Sequence, residues 1–146
     1  MRLQKATLCA LYAVLELAAE PGRQRTVTEI AERYGISAHH LAKVLRDLGR
    51  AGLVAAVRGV GGGYRFAGNP KRLTLWDVIG RFEELGDGAL SAAEANQDIA
   101  QGLRFMLAEI DDQAQATLRS VSLSTMLKLI ERRPWEAASP ARRAGA

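Results

Sequence analysis

Residues 26–50 constrain the fold of this chain more than any other stretch. Thr26 and Glu29 stand three positions apart at the head of a run carrying Val27, Ile30, Ala31 and Tyr34. At that spacing the hydroxyl and the carboxylate each satisfy a backbone N–H that a first helical turn leaves open, so a helix is predicted to open at Thr26. Gly35 supplies a left-handed stop, and only Ile36 separates it from Ser37, a second helix cap. From about Ala38 to Gly49, Leu41, Val44, Leu45 and Leu48 share one face, while His39, His40, Lys43, Arg46 and Arg50 take the remainder. Two short helices so closely joined, the second polar and basic outside, have the outline of a helix-turn-helix.

The flanks extend this outline to a mainly α fold with a small β-hairpin. Arg2 to about Ala19 reads as a helix with Leu8, Leu11, Leu15 and Ala18 as its buried stripe, ended by Glu20-Pro21-Gly22. Leu53–Val57 and Tyr64–Phe66 read as short strands joined through Arg58-Gly59-Val60-Gly61-Gly62-Gly63, a hairpin wing with Arg58 at its shoulder. A phosphate cradle is the competing reading of that loop, but it lacks both a Gly-Lys-Ser/Thr ending and a following helix. Beyond the wing, Thr74 caps a short helix bearing Leu75, Val78, Ile79 and Phe82, and residues 86–95 read as a loop. A long helix follows with Ile99, Leu103, Met106, Ile110 and Ala114 as its apolar stripe, then a last helix with Leu123, Met126, Leu127 and Ile130. Residues 1–82 are thus expected to form a winged helix-turn-helix domain and 83–133 a linker, a dimerisation helix and a final short helix. The tail, 134–146, is expected to be disordered.

Charge divides the chain in the same place. Residues 1–72 hold 12 Lys/Arg against 5 Asp/Glu, and residues 73–146 hold 8 against 11. A basic half joined to a mildly acidic one fits a polyanion-binding module on a differently employed segment, although a solvated charged surface looks the same. With Cys9 the only cysteine, neither an intrachain disulfide nor a multi-thiolate metal site can form within one chain. No apolar run reaches membrane-spanning length and no signal-peptide pattern opens the chain, so a cytoplasmic location is expected. No nucleophile–base pair, carboxylate pair or cofactor loop points to an enzyme.

Several motifs in order carry a resemblance. Met1-Arg2-Leu3, Ile30-Ala31-Glu32-Arg33-Tyr34-Gly35-Ile36-Ser37, Gly52-Leu53-Val54, Val57-Arg58-Gly59 and Gly61-Gly62-Gly63-Tyr64 resemble the Rrf-type winged-helix transcription regulators of the IscR/NsrR kind. The resemblance is close over 1–82 and general beyond. It implies a bacterial homodimer on a partly palindromic double-stranded DNA operator, more often a repressor, answering an effector that is a small molecule or a protein. The helix after Ser37 would then enter the major groove and the wing would bring Arg58 to the minor groove. Ser37, His39, His40 and Lys43 match the family's recognition-helix contacts, and Arg2 and Lys5 its approach to the backbone. Thr28, Arg46 and Gly59 complete the expected DNA-contact set.

The chain departs from cluster-binding relatives, which carry three cysteines about where residues 86–104 lie here; this stretch has none. The aspartate ligand of the nitric-oxide sensor falls near position 8, here Leu8. A cluster-less member is therefore expected, with no cofactor and no metal site. Cys9 is either a redox-sensitive thiol or a small buried hydrophobe, the commoner fate of a free cysteine. His39 and His40 point about 100° apart on a helix, which suits DNA contact better than joint chelation. Trp76 and Phe82 could line an effector pocket or form an ordinary hydrophobic seam. The Leu/Met/Ile stripe of residues 99–118 could serve a monomer core or a dimer interface, and so little chain remains to cover a long helix that the interface is favoured. Two alternatives stay open: a regulator sensing metal, haem, a cluster or redox state through unusual ligands such as Cys9, and a winged-helix protein–protein adaptor.

Overall fold

The computed structural model describes residues 1–84 and 97–143, with side chains described as far as Ala138. The order is α1 (Lys5–Ala19), α2 (Val27–Tyr34), α3 (Ala38–Arg50), β1 (Val54–Val57), β2 (Gly63–Phe66), α4 (Leu75–Ile79), α5 (Asp98–Ser120), α6 (Leu123–Arg132) and α7 (Pro134–Arg143). The strands pair antiparallel in the register Val54↔Phe66 to Val57↔Gly63. The loop expected at 86–95 lies outside the described residues.

The predicted caps form. Thr26 accepts from the Glu29 N–H while the Glu29 carboxylate takes the Thr26 N–H, Gly35 turns left-handed at φ 63°, and Ser37 accepts from the His40 N–H. Leu41, Val44, Leu45 and Leu48 are all buried in the core, where α3 packs against α1, α2 and β1. The stripe of α1 itself needs correction. Leu8 is exposed and Leu11 and Leu15 are only partly buried, whereas Thr7, Cys9, Ala10, Ala13, Val14, Leu17 and Ala18 are buried. Small side chains at Cys9, Ala10, Ala13 and Ala18 let α1 approach its neighbours closely, with Val14 and Leu17 buried beside them, while Leu8, Leu11 and Leu15 flank that line. Cys9 sits within it at 2% exposure, and burial pushes its thiol above the ordinary value, against a weaker opposing pull from Lys5. Those surroundings favour the neutral, unreactive form.

α1 and α2 are also joined through Glu16. Its carboxylate receives Arg25 at 3.4 Å, Arg33 at 3.0 Å and the hydroxyl of Tyr34, and the Tyr34 ring stacks on Tyr12 with centroids 5.0 Å apart. Burial first, then the hydrogen bond to Glu16 and its charge, push the Tyr34 phenol from 10.0 up to about 12 against the pull of Arg33 and Arg25.

Packing crosses the boundary expected at residue 82. Residues 121–124 return to pair with the segment before α4: the Leu75 N–H donates to Val121 O at 2.9 Å, Leu123 N–H to Leu73 O at 2.8 Å and Ser124 N–H to Pro70 O at 2.8 Å. Leu123 is thereby sealed in the core at 0% exposure. Trp76 lies in a seam, its ring under the Arg119 guanidinium at 5.6 Å, and Phe82 packs against the core. α5 packs against α4; along it Ala100 is buried and Arg104, Asp111, Ala114, Gln115 and Leu118 are partly so.

The tail is the second correction, since Pro134–Arg143 is helical. Proline at a first helical position is pre-set for the helix, and Glu136 sits where the positive end of the helix dipole favours it. Glu136 also pairs with Arg133, the left-handed cap of α6, at 3.0 Å.

Leu123→Ala should cost about 2–5 kcal/mol of unfolding free energy by denaturant titration, the range for a fully buried leucine; a loss well under ~1 kcal/mol would show that α6 does not seal the core. Because the phenol of Tyr34 is raised in the folded state, its contribution to stability is complete below pH 10 and is lost as pH climbs from 10 to about 12. The ultraviolet titration difference between wild type and Tyr34→Phe should centre near 12, and a difference centred at the ordinary phenol value contradicts the Glu16 network.

Candidate nucleic-acid interface

The buried face of α3 dictates what its other face displays. His39, Lys43, Arg46 and Arg50 follow one another at steps of four, three and four residues and are all exposed, so they form one stripe along the helix. Arg50 is engaged by Asp47 at 3.7 Å. Lys43 and Arg46 form no ion pair among the described residues, which leaves their charge for an outside anion. Ser37 stands exposed at the helix start, and its hydroxyl holds the His40 N–H at 3.3 Å. His40 itself is half-buried, with Nε2 enclosed and without a hydrogen-bond partner among the described residues, so it belongs partly to the scaffold.

The wing is shaped by glycine where nothing else fits. Gly59 and Gly61 adopt φ of 105° and 73°, and the Gly62 N–H closes a turn onto Gly59 O at 2.9 Å. A Cβ on Gly62 would lie 2.4 Å from the Val57 carbonyl oxygen, and one on Gly63 would lie 2.3 Å from that of Arg25. The turn carries Arg58 exposed at the end of β1, without an ion pair among the described residues, and lifts Val60 fully into solvent at the tip. Sequence reasoning passed over Val60, whose one signal is a lone apolar residue inside a glycine run.

The remaining expected contacts occupy other elements. Thr28 is exposed on the first turn of α2, where helix N–H groups suit a phosphate. Arg2 and Lys5 are exposed at the entry to α1, an end held by Glu83, which accepts from the Gln4 N–H at 2.6 Å and the Thr7 hydroxyl at 2.5 Å. α3 and the wing therefore present two separate groups of cations, and the α1 entry a third. Such groups can neutralise phosphates and read base edges; among the described residues nothing resembles a reaction centre.

Comparison with known proteins agrees with this geometry. Residues 3–129 match the Rrf2 family, described as an iron-dependent transcriptional regulator. The HTH-type transcriptional regulator BadM of Rhodopseudomonas palustris is 56% identical over 131 residues, 90% of this chain and 84% of that protein. The global cysteine regulator CymR of B. subtilis superposes with a TM-score of 0.73 at 25% identity, covering 88% of this chain and 97% of that one. The IscR of T. potens gives 0.68 at 26%, over 88% and 87%. The described residues do not fit a resident iron. Among them no three His, Cys, Asp or Glu side chains gather, Cys9 is buried in the core, and Leu8 offers no ligand atom. No described helix is long and apolar enough to cross a membrane. With a capped helix-turn-helix, a glycine-built wing and a family match spanning most of its length, the chain belongs to the Rrf2 family of transcriptional regulators and is not an enzyme.

Proposed function

We propose that the protein is a sequence-specific repressor that binds a palindromic operator as a homodimer, with no cysteine-ligated cluster, and that an effector, a small molecule or a partner protein, sets its occupancy. The observation that carries this reading is the exposure of Lys43 and Arg46 on α3 and of Arg58 on the wing, none of them ion-paired among the described residues. An exposed helix face one turn past its cap can reach base edges, and arginine suits a narrow, electronegative minor groove. Ser37, His39 and His40 at the start of α3 then lie nearest the bases, Gly59 lets the wing backbone approach, and Arg2, Lys5 and Thr28 meet phosphates. Cys9 takes a packing role.

The dimer reading is supported by α5. Beside its covered face runs a second apolar stripe, Ile99, Leu103, Met106 and Ile110, between 54% and 79% exposed. Leu129 and Ile130 of α6 are exposed as well. Apolar area of this kind on a long helix marks an interface. Ala114 lies toward the covered side and would border the seam.

Arg58→Ala should weaken operator binding by about 1–3 kcal/mol while leaving affinity for scrambled DNA nearly unchanged. Lys43→Ala with equal losses on both DNAs would mark that residue as a phosphate contact, with a salt slope shallower by about one. Wild-type protein that prefers no DNA sequence refutes the reading. Leu103→Lys combined with Ile110→Lys should sediment as a monomer with its winged helix-turn-helix still folded, and a variant that stays dimeric removes this stripe from the interface.

A further inference from the structure

Three consecutive residues tie the wing to the helix-turn-helix. The Gln24 side-chain amide donates to the Gly61 carbonyl at the wing turn. Arg25 exchanges both backbone hydrogen bonds with Tyr64 of β2, each at 2.8 Å. Thr26 caps α2. The contact is so close that only glycine fits at position 63. The Arg25 side chain runs the other way, with Nε 3.4 Å from Glu16 Oε1 and Nη2 3.3 Å from Glu20 Oε1. It is 15% exposed and Glu16 is 10% exposed. Counted by charge, Arg25 is one more cation of the basic half. By geometry its guanidinium is committed to two carboxylates of the same chain.

We propose that the Arg25–Glu16 pair is a clamp fixing the wing relative to α3, with Arg25 a positioning residue for DNA recognition and not a DNA contact; this rests on the DNA-binding reading above. Arg58 and the α3 stripe must grip one duplex together, so their spacing has to be held within a fraction of an ångström by packed, hydrogen-bonded neighbours. Glu16 is shared with Arg33 and Tyr34 of α2, the helix that leads through Gly35 into α3. One carboxylate thus references the wing root and the helix-turn-helix to the same point on α1. Arginine suits the task because its planar fork reaches both carboxylates, whereas a lysine ammonium serves one.

The test compares Glu16→Gln, Arg25→Gln, the double variant and Arg25→Lys in the full-length protein. A contact role and a clamp role predict opposite signs for Glu16→Gln. Removing a negative charge beside a DNA contact leaves affinity unchanged or raises it, whereas loosening the clamp lowers operator affinity, by about tenfold, with non-specific affinity nearly preserved. The double variant should lose no more than either single one, since both break the same interaction. The salt slope should stay within error of wild type, against a decrease of about one for a lost phosphate contact. Amide exchange in the free protein gives a readout independent of DNA. The Tyr64 amide should exchange at least about tenfold faster in both Gln variants while the Leu45 amide of α3 keeps its protection. If a Gln variant loses that protection as well, Arg25→Lys decides: intermediate operator affinity and faster Tyr64 exchange support the clamp, and wild-type behaviour overturns it. Unchanged Tyr64 exchange in the variants likewise overturns the clamp. Wild-type protein without operator preference instead fails the DNA-binding reading, and the exchange rates still decide the clamp.

Discussion

Everything this chain displays follows from where α3 must put its four buried side chains. Leu41, Val44, Leu45 and Leu48 find cover in the core that α3 shares with α1, α2 and β1, and a helix of 13 residues has little freedom left once that face is committed. Burial of side chains this size stabilises by roughly 1.5–3 kcal/mol each, far more than any surface ion pair nearby. The opposite stripe is consequently aimed outward by the core itself. His39, Lys43 and Arg46 need no further positioning device, whereas the wing, held by a two-stranded sheet, does need one. A two-stranded hairpin is marginal alone, and this one is anchored by Phe66 and Val54 in the core and by Arg25 along its edge.

The same accounting explains α5. In the single chain its covered face is narrow, with Ala100 the one buried residue of the described helix, and the apolar stripe beside it is left in water. The helix-turn-helix and wing, by contrast, build the buried core, which also takes in Leu123 from beyond the long helix. Under the proposed function, this contrast divides DNA recognition by α1–β2 from self-association along α5. The pairing of residues 73–75 with 121–123, together with Arg119 over Trp76, is the mechanical link between the two.

Much of this was legible in the sequence because it depends on local spacing. The Thr26–Glu29 box, Gly35 and Ser37 declare the helix-turn-helix within a dozen residues, and the glycine run declares the wing. The long helix was visible in the recurrence of Ile99, Leu103, Met106 and Ile110. The buried line of α1 is not legible from leucine spacing, because Cys9, Ala10 and Ala13 share it with Val14 and Leu17, while Leu8, Leu11 and Leu15 lie beside it. The helical tail was missed because its small polar composition resembles disorder, despite Pro134 and Glu136 at its start. Arg25 and Glu16 were invisible for a different reason: their partners Tyr64 and Tyr34 lie on other elements, and no local pattern announces a contact between distant segments. Glu83 closing the entry of α1 belongs to the same class.

Mapping the protein's occupancy along the chromosome of its own cells tests the central claim most directly. The account predicts discrete sites near promoters, each with two inverted half-sites centred about 10 base pairs apart or a multiple of that, as two-fold symmetric recognition helices require. Uniform or absent occupancy would contradict it and leave the basic stripe of α3 to some partner other than DNA.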